Sequence, residues 1–208
     1  MLFIFFSPSI SATERSLLYP DQGILDLRGT QLDEQSYQNL NGEWRFHWEK
    51  LIDPLNREHV FSQDPGLLVQ VPSYWNSYTL NGEKLPGMGY GSYSLTILLP
   101  SNFESMLCFD IPVFDVAYTM YLNDWLIDSN GKVGTSREEE EPWYEPSSFC
   151  FVPDSDTLHL LIQVSNFHHR RGGFWKSIYA GGSEKVTGKM EHRRMYNYST
   201  IGILFFFF

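Results

Sequence analysis

The chain has 208 residues and a formal net charge of −10, a length that suits one globular domain with tails. Aromatic residues make up 16% and charged residues only 19%, which supplies apolar surface for a core and excludes a disordered, charge-rich chain. The acidic balance and the lack of any long basic stripe argue against nucleic-acid binding. Two cysteines, Cys108 and Cys150, exclude a disulfide-rich scaffold and a four-cysteine zinc site.

The chain opens on MLFIFFSPSISATE, an apolar run followed by small residues that end at Ala12 in the manner of a signal-peptidase site, although no basic segment precedes it. Residues 1–20 are expected to be a leader or the remnant of a signal peptide, the alternative being an N-terminal strand tucked into the core. Residues 21–185 then read as one β-sandwich unit without internal repeats. Single helical turns are expected near Ser36 to Leu40 and at Trp48 to Leu51, and Trp44, Trp48 and Trp75 are assigned to the core. Glycines 87, 89 and 91 have the wrong spacing for a dinucleotide-binding loop and lead into a strand, so they are read as letting a loop enter a sheet.

Ser92 to Leu99 sets Tyr93, Leu95, Ile97 and Leu99 against Ser92, Ser94 and Thr96, and Pro100 closes the run, the alternation a half-buried strand requires. Leu107 to Ile111, Ala117 to Leu122, Trp125 to Ser129, Phe149 to Val152, Thr157 to Val164 and Phe174 to Tyr179 read the same way. Asn123-Asp124 between two of these runs predicts a tight hairpin, because both residues tolerate positive φ. The acidic run Arg137 to Glu141, followed by Pro142, predicts an exposed loop. Each cysteine lies in a strand-like run. Buried free cysteine is the commoner state and the separation cannot be read from sequence, so pairing is left open.

Seven or more short strands at this spacing predict an all-β, two-sheet jelly-roll sandwich rather than a barrel. The stretches Tyr74 to Tyr90 and Asn130 to Pro146 become loops at its ends, where binding surfaces usually lie. Beyond the sandwich, residues 186–200 are basic and aromatic, with Tyr196 and Tyr198 at interfacial depth, and 201–208 are nearly all apolar. Eight residues are too few to cross a bilayer, so the reading is a juxtamembrane segment leading into the start of a transmembrane helix. A buried C-terminal strand is the alternative.

The stretch SNFHHRRGGFW, Ser165 to Trp175, joins two predicted strands. Gly172 and Gly173 are read as the reversal and Phe174 or Trp175 as a buried ring. Asn166, His168, His169, Arg170 and Arg171 concentrate more donors than a turn needs. They either brace the acidic loop, where exposed pairs add little stability, or form a polar pocket for a hydroxylated or anionic small molecule. In the second case Arg137, Trp143, Tyr144 and Asn130 of the 130–146 loop complete the candidate ligand-binding set, with the aromatic rings offering a face to a sugar. Arg28 either pairs with a carboxylate or lines the mouth.

Catalytic signatures are missing: there is no G-x-S-x-G elbow, H-E-x-x-H or Walker loop. The adjacent carboxylates of Glu138 to Glu141 read as a solvated face rather than a glycosidase pair. Consecutive His168 and His169 point to opposite sides of an extended chain, against a zinc site. No catalytic residue, cofactor or metal is assigned, although a loop-borne structural calcium leaves little signature and stays open.

LDLRG at Leu25, LNGEWRFHW at Leu40, VPSYWN at Val71, GYGSYSLTI at Gly89, NGKVGTSREEE at Asn130 and QVSNFHHRRGGFW at Gln163 follow one another in a fixed order. In that order they resemble the all-β extracellular sensor domain of bacterial seven-transmembrane receptors with diverse intracellular signalling modules. A weaker resemblance, through the NGEW strand, the VPxxW turn and the late GxW strand, runs to the non-catalytic sugar-binding jelly roll of β-galactosidase-type glycosidases. Both imply a galactose-binding-domain-like sandwich. The receptor resemblance implies a domain on the periplasmic or extracellular side of a bacterial inner membrane. It would bind a carbohydrate or other small polar ligand and signal through membrane helices to a cytoplasmic kinase or cyclase, with a homodimer left open. The glycosidase resemblance implies an accessory module of a glycoside hydrolase.

Overall fold

The computed structural model describes residues 18–192 apart from 102 and 115. The expected membrane segment 201–208, most of the leader and the second half of the juxtamembrane segment lie outside the described residues. Thirteen strands are described: β1 (Ile24–Asp26), β2 (Tyr37–Asn39), β3 (Gly42–Trp48), β4 (Leu67–Val71), β5 (Thr79–Leu80), β6 (Glu83–Lys84), β7 (Gly89–Leu98), β8 (Leu107–Ile111), β9 (Ala117–Leu122), β10 (Trp125–Asn130), β11 (Ser147–Phe151), β12 (Thr157–Asn166) and β13 (Tyr179–Gly182). A short helix α1 spans Arg57–Gln63, and residues 183–192 form a second helix, α2. Among the described residues no helix is long and apolar enough to cross a membrane.

The strands make the two-sheet sandwich expected from the sequence. A seven-stranded sheet runs β10-β9-β12-β7-β3-β4, with β1 parallel to the far half of β7, and a four-stranded sheet runs β11-β8-β13-β2. β12 lies at the centre of the larger sheet because it can bury both faces. Leu158, Leu160, Ile162 and Val164 enter the core, while Leu161 and Ser165 are buried on the opposite side. That opposite side is covered by the chain after β3, where Ser92 Oγ donates to the Lys50 carbonyl at 2.7 Å and Gln163 Nε2 to the Ile52 carbonyl at 3.0 Å.

Between the sheets, Trp44, Phe46, Tyr93 and Phe174 meet Phe109, Ile111, Phe114 and Tyr118, with Phe174 edge-on to Trp44 at 5.0 Å and to Phe114 at 4.9 Å. Burial of side chains this large contributes about 1.5–3 kcal/mol each relative to exposure. Trp44 and Trp75 are fully buried and Trp48 packs against the core. Asn123 takes the positive φ of the β9–β10 turn, at 52°.

Three expectations are corrected. Phe174 to Tyr179 is not a strand. It crosses from one sheet to the other, its backbone held by Ser73 N to Phe174 O at 2.7 Å and Leu40 N to Ile178 O at 2.9 Å, and β13 begins only at Tyr179. The turn expected at Ser36 to Leu40 is strand β2, recruited by pairing with β13, and Trp48 to Leu51 is not helical. Of the two helices that do form, α1 buries no residue, in keeping with a sequence that carries no apolar stripe.

Cys108 and Cys150 sit opposite each other on β8 and β11 and form a disulfide.

Candidate ligand-binding site

The loop after β12 is built around Asn166. This residue is fully buried, and its Nδ2 donates to the carbonyls of Gly87, at 2.7 Å, and His169, at 2.8 Å. Its Oδ1 accepts from the His169 N–H at 2.9 Å. Asn166 is therefore spent inside the protein, which removes it from the ligand contacts expected of it. Asn130 is also engaged within the protein, although it lines a shallow concavity with Trp143 and Glu145. It is 4% exposed and grips the backbone of Glu145 through both ends of its amide.

The acidic loop is not wholly exposed either. Glu138 and Glu139 face solvent, and the Thr135 hydroxyl, 2.7 Å from Glu139 Oε2, holds that carboxyl below its ordinary value. Glu140, in contrast, is 4% exposed. Its Oε1 accepts from the Phe167 N–H at 2.8 Å and lies 2.8 Å from His168 Nδ1. Arg137 Nη1 donates to the Phe167 carbonyl at 3.3 Å, and the Tyr144 hydroxyl lies 2.8 Å from His169 Nε2. The structure thus brings Arg137, Tyr144, His168 and His169 together, but as a brace between two loops. Trp143, 58% exposed, donates its indole N–H to Glu145 Oε2 at 3.3 Å. Arg28 is exposed and pairs with Asp26 at 2.6 Å.

Arg170 and Arg171 remain exposed. Among the described residues no hydrogen bond or ion pair engages the Arg170 guanidinium. Arg171 lies over the Tyr74 ring, 5.2 Å from its centroid, within cation–π range. Tyr74 stacks on Trp175 at 5.8 Å, and Lys176 Nζ sits 4.6 Å from the Trp175 ring. Gly172 and Gly173 make this possible: a side chain at Gly172 would strike the Trp75 ring at 2.4 Å, and Gly173 has φ 105°.

Trp175 leads into a cleft of about 510 Å³ beside the smaller sheet. Its apolar wall is Pro72, Pro112, Val113 and Pro146, and its polar wall is Asp110, Lys176, Ser177 and Tyr179. Asp110 is 1% exposed and accepts from the Tyr37 hydroxyl at 3.0 Å. The Trp175 indole Nε1 is buried without a hydrogen-bond partner among the described residues. Sequence reading missed Asp110, Ser177, Lys176 and Tyr179. The one available signal was an aspartate inside the apolar run LCFDI of β8, since a buried carboxylate needs partners. Among the described residues no group of three or more His, Cys, Asp or Glu is placed to hold a metal ion.

No protein-family model and no curated protein matches the chain. Among solved structures it is similar to a β-glucuronidase from an uncultured Clostridium sp., with 15% identity and a TM-score of 0.52 over 74% of this chain and 30% of that one. It is also similar to a β-glucuronidase of Bacteroides uniformis, with 17% identity and a TM-score of 0.51 over 70% of this chain and 17% of that one. A third likeness is to a Ruminococcus gnavus β-glucuronidase in complex with uronic isofagomine, at 14% identity and a TM-score of 0.50 over 72% and 29%. The chain spans less than a third of the length of each. At these identities the likeness is one of fold, and the fold is the two-sheet β-sandwich.

Proposed function

We propose that this chain is a non-catalytic carbohydrate-binding module whose ligand occupies the cleft between Asp110, Trp175 and Tyr179. The observation that carries the reading is the make-up of that cleft: a buried carboxylate, an unpartnered indole N–H, a lysine and two hydroxyls opposite a wall of prolines and valine. A sugar presents hydroxyls that both donate and accept, and C–H faces that pack on apolar surface, which is the complement of such walls. The sandwich shared with sugar-processing enzymes supports the same ligand class. It also supports the setting of an accessory module within a glycoside hydrolase.

A second setting is the sensor domain of a bacterial membrane receptor on the outer side of the inner membrane. It is favoured by the apolar run Ile201 to Phe208 behind a basic, aromatic segment. The Cys108–Cys150 bond suits either setting, since such bonds persist outside the reducing cytoplasm. In a receptor the ligand must favour one of two conformations, because equal affinity for both moves nothing.

Calorimetric titration of the full chain with a panel of mono- and disaccharides tests the binding. At least one sugar is expected to bind, and Trp175→Ala and Asp110→Asn are each expected to weaken it by at least about tenfold. A panel without a binder at millimolar concentration, or affinities untouched by both substitutions, overturns the reading. Fractionation of the native protein separates the settings: an integral membrane pool supports the receptor, and a soluble pool co-purifying with glycosidase activity supports the accessory module.

A further inference from the structure

A second concavity, about 790 Å³, lies between α2 and the outer face of the smaller sheet. Its floor is the ring pair of Tyr37 and Tyr179, stacked at 4.6 Å with 14° between planes. Tyr179 projects outward because its strand neighbour Ala180 fills the core and strand side chains alternate between faces, and Tyr37 lies over it from the neighbouring strand β2. The opposite wall is helical. Lys185, Lys189 and His192 recur at spacings of four and three, which sets them on one face of α2. Gly188 leaves that wall open, with nothing within 4 Å of the position a side chain would take.

The charge here runs against the rest of the molecule. In a chain of net charge −10, Lys185 and Lys189 face one groove, and neither forms an ion pair among the described residues. One carboxylate, that of Glu184, also lines the groove, and it is held by Gln35 Nε2 at 2.6 Å. Lys189 Nζ instead rests 4.1 Å from the Tyr37 ring centroid and 5.9 Å from that of Tyr179. This contact keeps an ammonium at the groove while leaving it without an anionic partner.

We infer that this groove binds a small anionic sugar, a pyranose carboxylate, whose carboxylate meets Lys185 and Lys189 and whose ring rests against the edges of the stacked tyrosine pair. The site is distinct from the Asp110–Trp175 cleft, whose one lysine and one carboxylate suit a neutral sugar, although Tyr179 borders both.

The test is an amide-resolved NMR titration of the full chain at constant ionic strength with glucuronate, glucose and sodium sulfate as separate probes. Glucuronate is expected to shift the amides of residues 185–192 and of Tyr37. Glucose is expected to leave them in place. The double variant Lys185→Gln/Lys189→Gln is expected to weaken glucuronate binding by at least about tenfold, with the rest of its spectrum unchanged. Unmoved amides, a double variant that binds as the wild type does, or equal shifts with sulfate would each overturn the inference. Failure of the Asp110–Trp175 cleft is read separately, at the amides of those two residues.

Discussion

Asn166 and Arg170 lie four positions apart in one loop and are opposite cases. Deleting the Asn166 amide leaves the carbonyls of Gly87 and His169 without their donor in a buried setting, and each such loss costs about 1–3 kcal/mol. Asn166→Ala is therefore expected to lower stability by about 2–4 kcal/mol, seen as a fall in the urea midpoint. Glu140→Ala is expected to cost about 1–3 kcal/mol for the same reason, since it frees the part-buried Phe167 N–H. Arg170→Ala should change stability by no more than about 0.5 kcal/mol. The sequence showed a concentration of donors but not which were consumed. That depends on a carbonyl 79 residues away for Asn166 and on a glutamate 27 residues away for Phe167. The acidic loop as partner was legible in its charge, whereas the burial of Glu140 among its exposed neighbours was not.

Strands with a clear alternation were legible almost to their bounds. β8 and β9 match the runs Leu107 to Ile111 and Ala117 to Leu122, because both lie mid-sheet and their apolar residues have no other place to go. The segment Phe174 to Tyr179 has the same composition but is used to cross between sheets, burying Phe174 and Ile178 without a ladder. Period and residue type do not distinguish these two uses. The cysteine pairing was hidden for a related reason, since it depends on the register of β11 against β8. β11 is an edge strand attached through β8 alone, so the Cys108–Cys150 bond restrains it strongly. Closing a loop with a sequence separation of 42 stabilises by about 4 kcal/mol on the chain-entropy account. Reduction, or Cys108→Ala/Cys150→Ala, is expected to lower the unfolding midpoint by a corresponding amount. Amide exchange should rise first in β11.

At the scale of the whole molecule the sandwich followed from strand count and spacing, while the cleft did not. Its walls come from Pro72, Asp110, Pro146 and Trp175, residues from four separate stretches that meet only once both sheets are in place. The same assembly buries one histidine and half-buries a second on the larger sheet, which sets a pH response for the fold. His47 is 2% exposed, its Nε2 donating to the Asp64 carbonyl at 2.9 Å, and burial lowers its pKa from 6.5. His159 on β12 is also lowered, first by burial and then by the nearby Arg57. In the unfolded chain both take up a proton near 6.5, whereas the folded protein resists. The unfolded state thus binds more protons as the pH falls below that value, and stability falls with it. Above about pH 6.5 the contribution is fully present. The carboxylates held low by partners, Asp26 at about 2 and Asp64 below its ordinary 3.8, act in a separate and more acidic window, because their unfolded-state values lie near 3.8. The melting temperature is therefore expected to fall between about pH 7 and about pH 5. The double variant His47→Gln/His159→Gln should flatten that part of the profile while leaving the steeper acid limb in place. An unchanged slope in the variant would assign the response to other groups.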